Sequence, residues 1–102
     1  MISKFSVSVL GIKPELLYGL MVADGVFSRF ALDMVVTSVG DSIHGDLSYH
    51  PSGYAADLRL PPDGVIDAVV ADLQSQLGPY FDVVLESDHI HIEFDVRRAR
   101  SL

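Results

Sequence analysis

The sequence predicts an α+β domain in which a small, mainly antiparallel sheet packs against two principal helices. Two segments have the apolar spacing of amphipathic helices, and five short segments alternate in polarity or are continuously apolar, as strands are. The last two strands are joined by a tight connection, which favours antiparallel pairing. The chain has 102 residues, about half of them apolar. This length predicts a single domain over residues 1–102, since it is too short for two cores.

The first half of the chain predicts a strand, a helix and a second strand. Phe5–Val9 alternates between apolar residues and serine, which is the period of a half-buried strand. Pro14 suits the first turn of a helix, and Gly25 is a plausible end for it, with one further turn over Val26–Phe30. Met34–Val39 has the apolar character of a buried strand.

The second half predicts a loop, a strand, a helix and a closing pair of strands. In order, these are a loop over Gly40–Pro51, a strand over Gly53–Leu60, a helix that opens at residues 61–63, and strands over Tyr80–Leu85 and His89–Val96. Gly78 is expected to close the helix. The arginine-rich residues 97–100 are expected to form a frayed, solvated end.

Composition excludes several classes of function. Fourteen acidic residues against seven basic ones give a net charge of −7, which argues against nucleic acid as a partner. The absence of cysteine excludes a disulfide scaffold, a thiolate zinc cluster and a cysteine nucleophile. The first residues do not resemble a signal peptide, and no run approaches the roughly 20 apolar residues that span a bilayer. We therefore expect no membrane insertion.

The last predicted strand separates apolar from ionisable side chains. Alternate residues place Ile90, Ile92, Phe94 and Val96 on one face and His89, His91, Glu93 and Asp95 on the other. A strand of an open sheet with its polar side in water would also show this pattern. Two histidines two residues apart can nevertheless reach one metal ion. Glu93 and Asp95 are expected to be solvated carboxylates, with a hydrogen bond from Glu93 to a ligand imidazole as the alternative.

A second segment adds a histidine and an aspartate seven residues apart. Gly53 allows the chain to turn from the loop that contains His50 into the following strand. Asp57 is predicted to point to the same side as Ala55, whose small side chain leaves the carboxylate accessible. Imidazole and carboxylate groups are zinc ligands, and three such ligands with one water molecule are typical of a catalytic site.

These residues carry a family resemblance. The motif Ser48-x-His50-x-x-Gly53-x-Ala55-x-Asp57, followed by Asp88-x-x-His91-x-Glu93, resembles zinc peptidases of the D-alanyl-D-alanine carboxypeptidase and L-alanyl-D-glutamate endopeptidase type. That group cleaves peptidoglycan peptides and includes many small bacteriophage enzymes, among them endolysins. The non-enzymatic Hedgehog signalling fold is a distant relative. The resemblance extends from about residue 35 to residue 95 and implies a fold of the Hedgehog and D-Ala-D-Ala-peptidase kind.

The resemblance also implies roles for individual residues. The zinc ligands would be His50, Asp57 and His91, and Asp88 would be the general base. His89 would then lie beside the metal, where it could stabilise the oxyanion or orient the water molecule. Glu86 stands three residues before His89, as Asp88 does before His91, so a site that uses Glu86 and His89 is the alternative.

Substrate recognition departs from the family pattern. Relatives commonly have an arginine in the loop after the strand that corresponds to Met34–Val39, and residues 37–44 contain none. Arg59, His44 and Tyr54 are the remaining candidates for substrate binding, and Arg29 could also substitute for the missing arginine.

The resemblance implies a peptidoglycan peptide as substrate for a protein of phage or prophage origin. Such a protein would be made in the host cytoplasm and act at the cell wall, or be carried on a virion. The alternative is a non-catalytic metal-binding module of a phage particle. The scissile bond and the oligomeric state are not encoded in these motifs.

Overall fold

The computed structural model describes residues 1–3, 11–40 and 53–100. Its elements are β1 (Ile2–Ser3), α1 (Pro14–Arg29), β2 (Val35–Gly40), β3 (Ala55–Arg59), a 3₁₀ turn (Asp63–Val65), α2 (Ile66–Leu77), β4 (Phe81–Leu85), β5 (His89–Phe94) and α3 (Val96–Arg100). The predicted α+β class, with a mainly antiparallel sheet and two principal helices, is confirmed. The predicted strand over Phe5–Val9 and the predicted loop after Gly40 lie outside the described residues.

The strands form one sheet in the order β1-β2-β3-β5-β4. β2, β3, β5 and β4 pair in antiparallel fashion, and the two-residue β1 adds to β2 in parallel. A single core joins one face of this sheet to both long helices. Its fully buried members include Leu16, Leu20 and Phe27 of α1, Val69 and Leu73 of α2, and Leu58, Ile90 and Ile92 of the strands. The opposite face of the central strands carries the candidate site.

The first helix is not interrupted at Gly25, its predicted end, but continues to Arg29, so that it includes most of the further turn predicted over Val26–Phe30. Val26 and Phe27 are completely or almost completely buried in the core. Burial of two such side chains outweighs the cost of about 1 kcal/mol for a glycine inside a helix. The helix ends where Ala31 takes a positive φ of 58°. None of the described helices combines the length and the apolar character needed to cross a membrane.

The chain after β5 is ordered into a short helix rather than a frayed end. Arg98 of α3 donates hydrogen bonds to Asp82 of β4 at 3.0 Å and to the carbonyl oxygen of Pro79 at 2.6 Å. A second carboxylate, Asp95, lies 3.4 Å from the same guanidinium group. The arginine side chains are exposed, as predicted, but the prediction of a frayed end was wrong because it overlooked acidic partners for Arg98 in β4 and directly after β5.

Candidate metal centre

The candidate site lies on the sheet face that points away from α1 and α2. In the register of β3 and β5, Asp57 is paired with His91 and Arg59 with His89. Directly opposite residues of antiparallel strands share a face, with Cβ atoms about 4.5–5.5 Å apart. The alternation predicted from the sequence of β5 therefore places both imidazoles beside the Asp57 carboxylate.

An irregularity in β2 shapes the other side of the site. The pairing of β2 with β3 shifts register between Val36 and Ser38, so that Ser38 is paired with Asp57. The hydroxyl of Thr37, the residue left over at this bulge, donates a hydrogen bond to the backbone carbonyl of Asp57 at 3.3 Å. The resulting cleft has a volume of about 110 Å³. It is lined by the small residues Ser38, Gly40, Ala55 and Ala56 and by the side chains of Asp57, His89 and His91.

His91 lies between two carboxylates. Its Nδ1 atom is 2.8 Å from Oδ1 of Asp57, and its Nε2 atom is 2.8 Å from Oε1 of Glu93. Only 3% of His91 and 2% of Glu93 are exposed. Burial lowers the pKa of His91, but the hydrogen bonds and charges of Glu93 and Asp57 together outweigh it, so the pKa is raised above 6.5.

Glu93 therefore corrects the expectation of a solvated strand carboxylate. Its backbone is paired with Ala55, so only a methyl group stands opposite it on β3. The structure instead shows the alternative arrangement, a hydrogen-bonding contact to the imidazole of His91. The signal for this contact was present in the sequence, since Glu93 is two residues from His91 and on the same face of the strand.

His89, at the edge of the cleft, also lies between two carboxylates. Its Nδ1 atom is 2.6 Å from Oδ1 of Asp88, and its Nε2 atom is 3.5 Å from Oδ1 of Asp57. The Asp88 side chain is 84% exposed. Each imidazole thus has one ring nitrogen near the same oxygen of Asp57 and the other nitrogen near a second carboxylate. Sequence reasoning placed Asp88 beside the site but missed its direct pairing with His89.

Asp57, His89 and His91 form a possible metal-binding group. Each offers one ligand atom, and the three ligand atoms lie within 4.8 Å of one another. Nitrogen and carboxylate oxygen donors of this kind suit zinc and several other divalent ions. The structure thus brings two of the predicted ligands, Asp57 and His91, together with His89. The third predicted ligand, His50, lies outside the described residues.

The substrate-binding candidates take different positions. Arg59 is exposed on the same face as Asp57 and is paired with His89. Tyr54 stacks on Phe94 with ring centroids 5.9 Å apart, and Phe94 packs against the core on the helix side. Arg29 forms an ion pair with Asp72 of α2 at 2.8 Å, remote from the cleft in the fold. His44 lies outside the described residues.

The alternative base, Glu86, closes the turn between β4 and β5. Its backbone N–H donates a hydrogen bond to the carbonyl of His89 at 2.9 Å. The Asp88 side chain, by contrast, contacts the ring of His89 directly. In the part of the chain that the structure describes, Asp88 is thus the acid of this turn with a demonstrated contact to the histidine pair.

Comparisons of the chain with protein-family models, with curated proteins and with solved structures found no match.

Proposed function

We propose that this protein is a zinc-dependent metallopeptidase that hydrolyses peptide bonds in bacterial peptidoglycan and is encoded by a phage or prophage. The observation that carries the proposal is the convergence of Asp57, His89 and His91 on one open cleft, with the exposed carboxylate of Asp88 beside it. The substrate class comes from the resemblance of the two motifs to cell-wall peptidases.

The donor set fits zinc. Asp57 offers a carboxylate oxygen and His91 offers Nδ1, and His50 would complete three protein ligands by resemblance. His91 also has a carboxylate at its far nitrogen, as zinc-binding histidines commonly do. A bound zinc ion would polarise the scissile carbonyl and lower the pKa of a water molecule toward neutrality.

Asp88 would move the proton in this reaction. Its carboxylate accepts a proton from the attacking water as the water oxygen bonds to the carbonyl carbon of the peptide. The same carboxyl group then gives this proton to the amine nitrogen as the carbon–nitrogen bond breaks. High exposure makes Asp88 accessible to water and substrate, and its contact with Nδ1 of His89 keeps it next to a residue that lines the cleft. The protein side chain is unchanged after one turnover.

Arg59 is a residue of the site face that can bind a negative group of the substrate. It is exposed and lies across the strand pair from His89. A guanidinium group recognises a carboxylate through two parallel hydrogen bonds. In this proposal Arg59 binds the substrate in place of the arginine that the peptidases resembled by the motifs have after the strand corresponding to β2.

A second candidate function is a non-catalytic metal-binding module, for example in a phage particle. Two observations favour it. Residues 30–58 contain no arginine, and His89, whose Nε2 atom is 3.5 Å from Oδ1 of Asp57, can itself offer a ligand atom. With His50, four protein ligands would surround the ion, which is typical of structural sites without an open position.

Hydrolysis of cell walls distinguishes the two functions. Purified, zinc-loaded protein is incubated with peptidoglycan and with cross-linked muropeptides, and the products are identified by mass. The peptidase predicts released peptides whose masses define the cleaved bond, and Asp88→Ala should abolish release. Asp67→Ala, an exposed acid of α2, serves as the matched control and should keep full activity. Zinc-loaded wild type that releases nothing would leave only the non-catalytic module.

A further inference from the structure

Glu93 is a carboxylate buried beneath the candidate metal centre. Its exposed fraction is 2%, and taking an ionised group out of water is costly unless hydrogen bonds or opposite charges compensate it. Oε1 of Glu93 lies 2.8 Å from Nε2 of His91. Its strand neighbours are Ala55 on one side and Asp82 on the other, and the imidazole of His91 is a compensating contact on this face.

The contacts of His91 assign a different role to each ring nitrogen. Nδ1 faces Asp57 in the cleft, while Nε2 faces Glu93 inside the protein. A neutral imidazole has one N–H group and one lone pair. If the N–H group is on Nε2, where Glu93 accepts its hydrogen bond, the lone pair of Nδ1 is free for a metal ion.

We propose that Glu93 is a positioning residue that selects Nδ1 of His91 as its metal-binding atom and fixes the plane of the ring. The inference rests on the metal site of the proposed function and does not require peptidase activity. It also accounts for the charge of the site, because a divalent cation balances the two carboxylates that flank His91.

The affinity of the site for zinc tests this role. Glu93→Gln keeps the size of the side chain and replaces the charged carboxylate acceptor by a neutral amide, whose oxygen accepts a hydrogen bond more weakly. We expect its zinc affinity, measured by competition with a chromogenic chelator, to fall by about 10–100-fold. Asp82→Asn is the matched control, since Asp82 is the cross-strand neighbour of Glu93 and its carboxylate accepts a hydrogen bond from Arg98. Its zinc affinity should stay close to that of the wild type.

A spectroscopic measurement separates positioning from a merely structural role. In the zinc-loaded wild type, the ¹⁵N chemical shifts of the His91 ring should show a protonated Nε2 and a metal-bound Nδ1. This measurement needs no variant, so it decides the matter even if Glu93→Gln fails to fold. Zinc bound through Nε2, or a Glu93→Gln variant that binds as tightly as Asp82→Asn, would overturn the inference. A wild type that binds no zinc would overturn the metal site and the proposed function together.

Discussion

Asp57 and His91 face each other across two adjacent antiparallel strands, and Oδ1 of the first lies 2.8 Å from Nδ1 of the second. The Nε2 atom of His89 approaches the same oxygen at 3.5 Å. Both imidazoles therefore approach the carboxylate of Asp57. We expect this residue to make the largest contribution to the affinity of the site for a cation.

Asp57→Asn should reduce zinc affinity by more than about 100-fold. The reason is that loss of an outer hydrogen-bonding partner already costs about 10–100-fold, and Asp57 is itself a ligand. Calorimetric titration with zinc measures the effect, and Asp67→Asn on α2 controls for the change in net charge. An Asp57→Asn protein with wild-type affinity would show that the metal, if bound, is held elsewhere.

The metal-free protein should lose stability as the pH rises above about 6.5. The folded state raises the pKa of His91, so its stabilising contribution is fully present below the unfolded value of 6.5 and is lost as the pH passes the raised folded value. Urea unfolding in the presence of a chelator, at a series of pH values, measures the slope. His91→Gln should remove this part of the slope, and an unchanged slope would exclude His91 as its source.

The affinity for zinc should show the opposite pH dependence to the stability of the metal-free protein. A proton on Nδ1 of His91 competes with the metal, so zinc affinity should increase as the pH rises through the raised pKa of His91. Zinc titrations across the same pH series test the prediction. An affinity that does not change with pH would mean that zinc binding displaces no proton from this ring.

Arg59→Ala should impair cleavage of peptides with a free carboxylate near the scissile bond more than cleavage of the corresponding amides. The guanidinium group can pair with the carboxylate of the first substrate and not with the amide of the second. The ratio of kcat/KM for the two substrates is the measurement, and Arg29→Ala is the control on α1. Equal losses for both substrates would assign Arg59 to a role other than recognition of the carboxylate.

Gly19→Ala should destabilise the fold by about 1–3 kcal/mol through overpacking. An added Cβ atom would lie 2.6 Å from two ring atoms of Phe81. Phe81 is buried and packs edge-on against Phe94, so its ring must shift out of this packing to admit the new methyl group. Gly25→Ala in the same helix meets no atom within 4 Å and should instead stabilise the protein by up to about 1 kcal/mol. Chemical denaturation of both variants measures the difference.

The alternation of polar and apolar residues predicted the site face correctly. In β5 it placed His89, His91 and Glu93 together because side-chain direction in a strand depends only on parity. It could not predict that Glu93 is buried, since burial depends on what covers the face and not on the strand itself. Nor could it predict the bulge at Thr37, because the register between β2 and β3 is set by long-range pairing.

Local signals failed where tertiary contacts compete with them. Gly25 is a helix terminator by propensity, yet α1 continues because Val26 and Phe27 reach the core. The arginines after β5 look like a frayed tail, yet they lie in a short helix in which Arg98 binds Asp82, sixteen residues earlier in the chain. Both errors arise because propensity describes a segment in isolation.

The contact between Arg98 and Asp82 also affects how the molecule behaves at high concentration. Among the strands of residues 1–3, 11–40 and 53–100, β4 is the last of the sheet, so one row of its backbone hydrogen-bonding groups has no neighbour among these strands. Such a border invites a strand from another molecule, and charged side chains and covering helices discourage it. We expect the ion pair of Arg98 and Asp82, which lies on this strand, to discourage such edge-to-edge pairing.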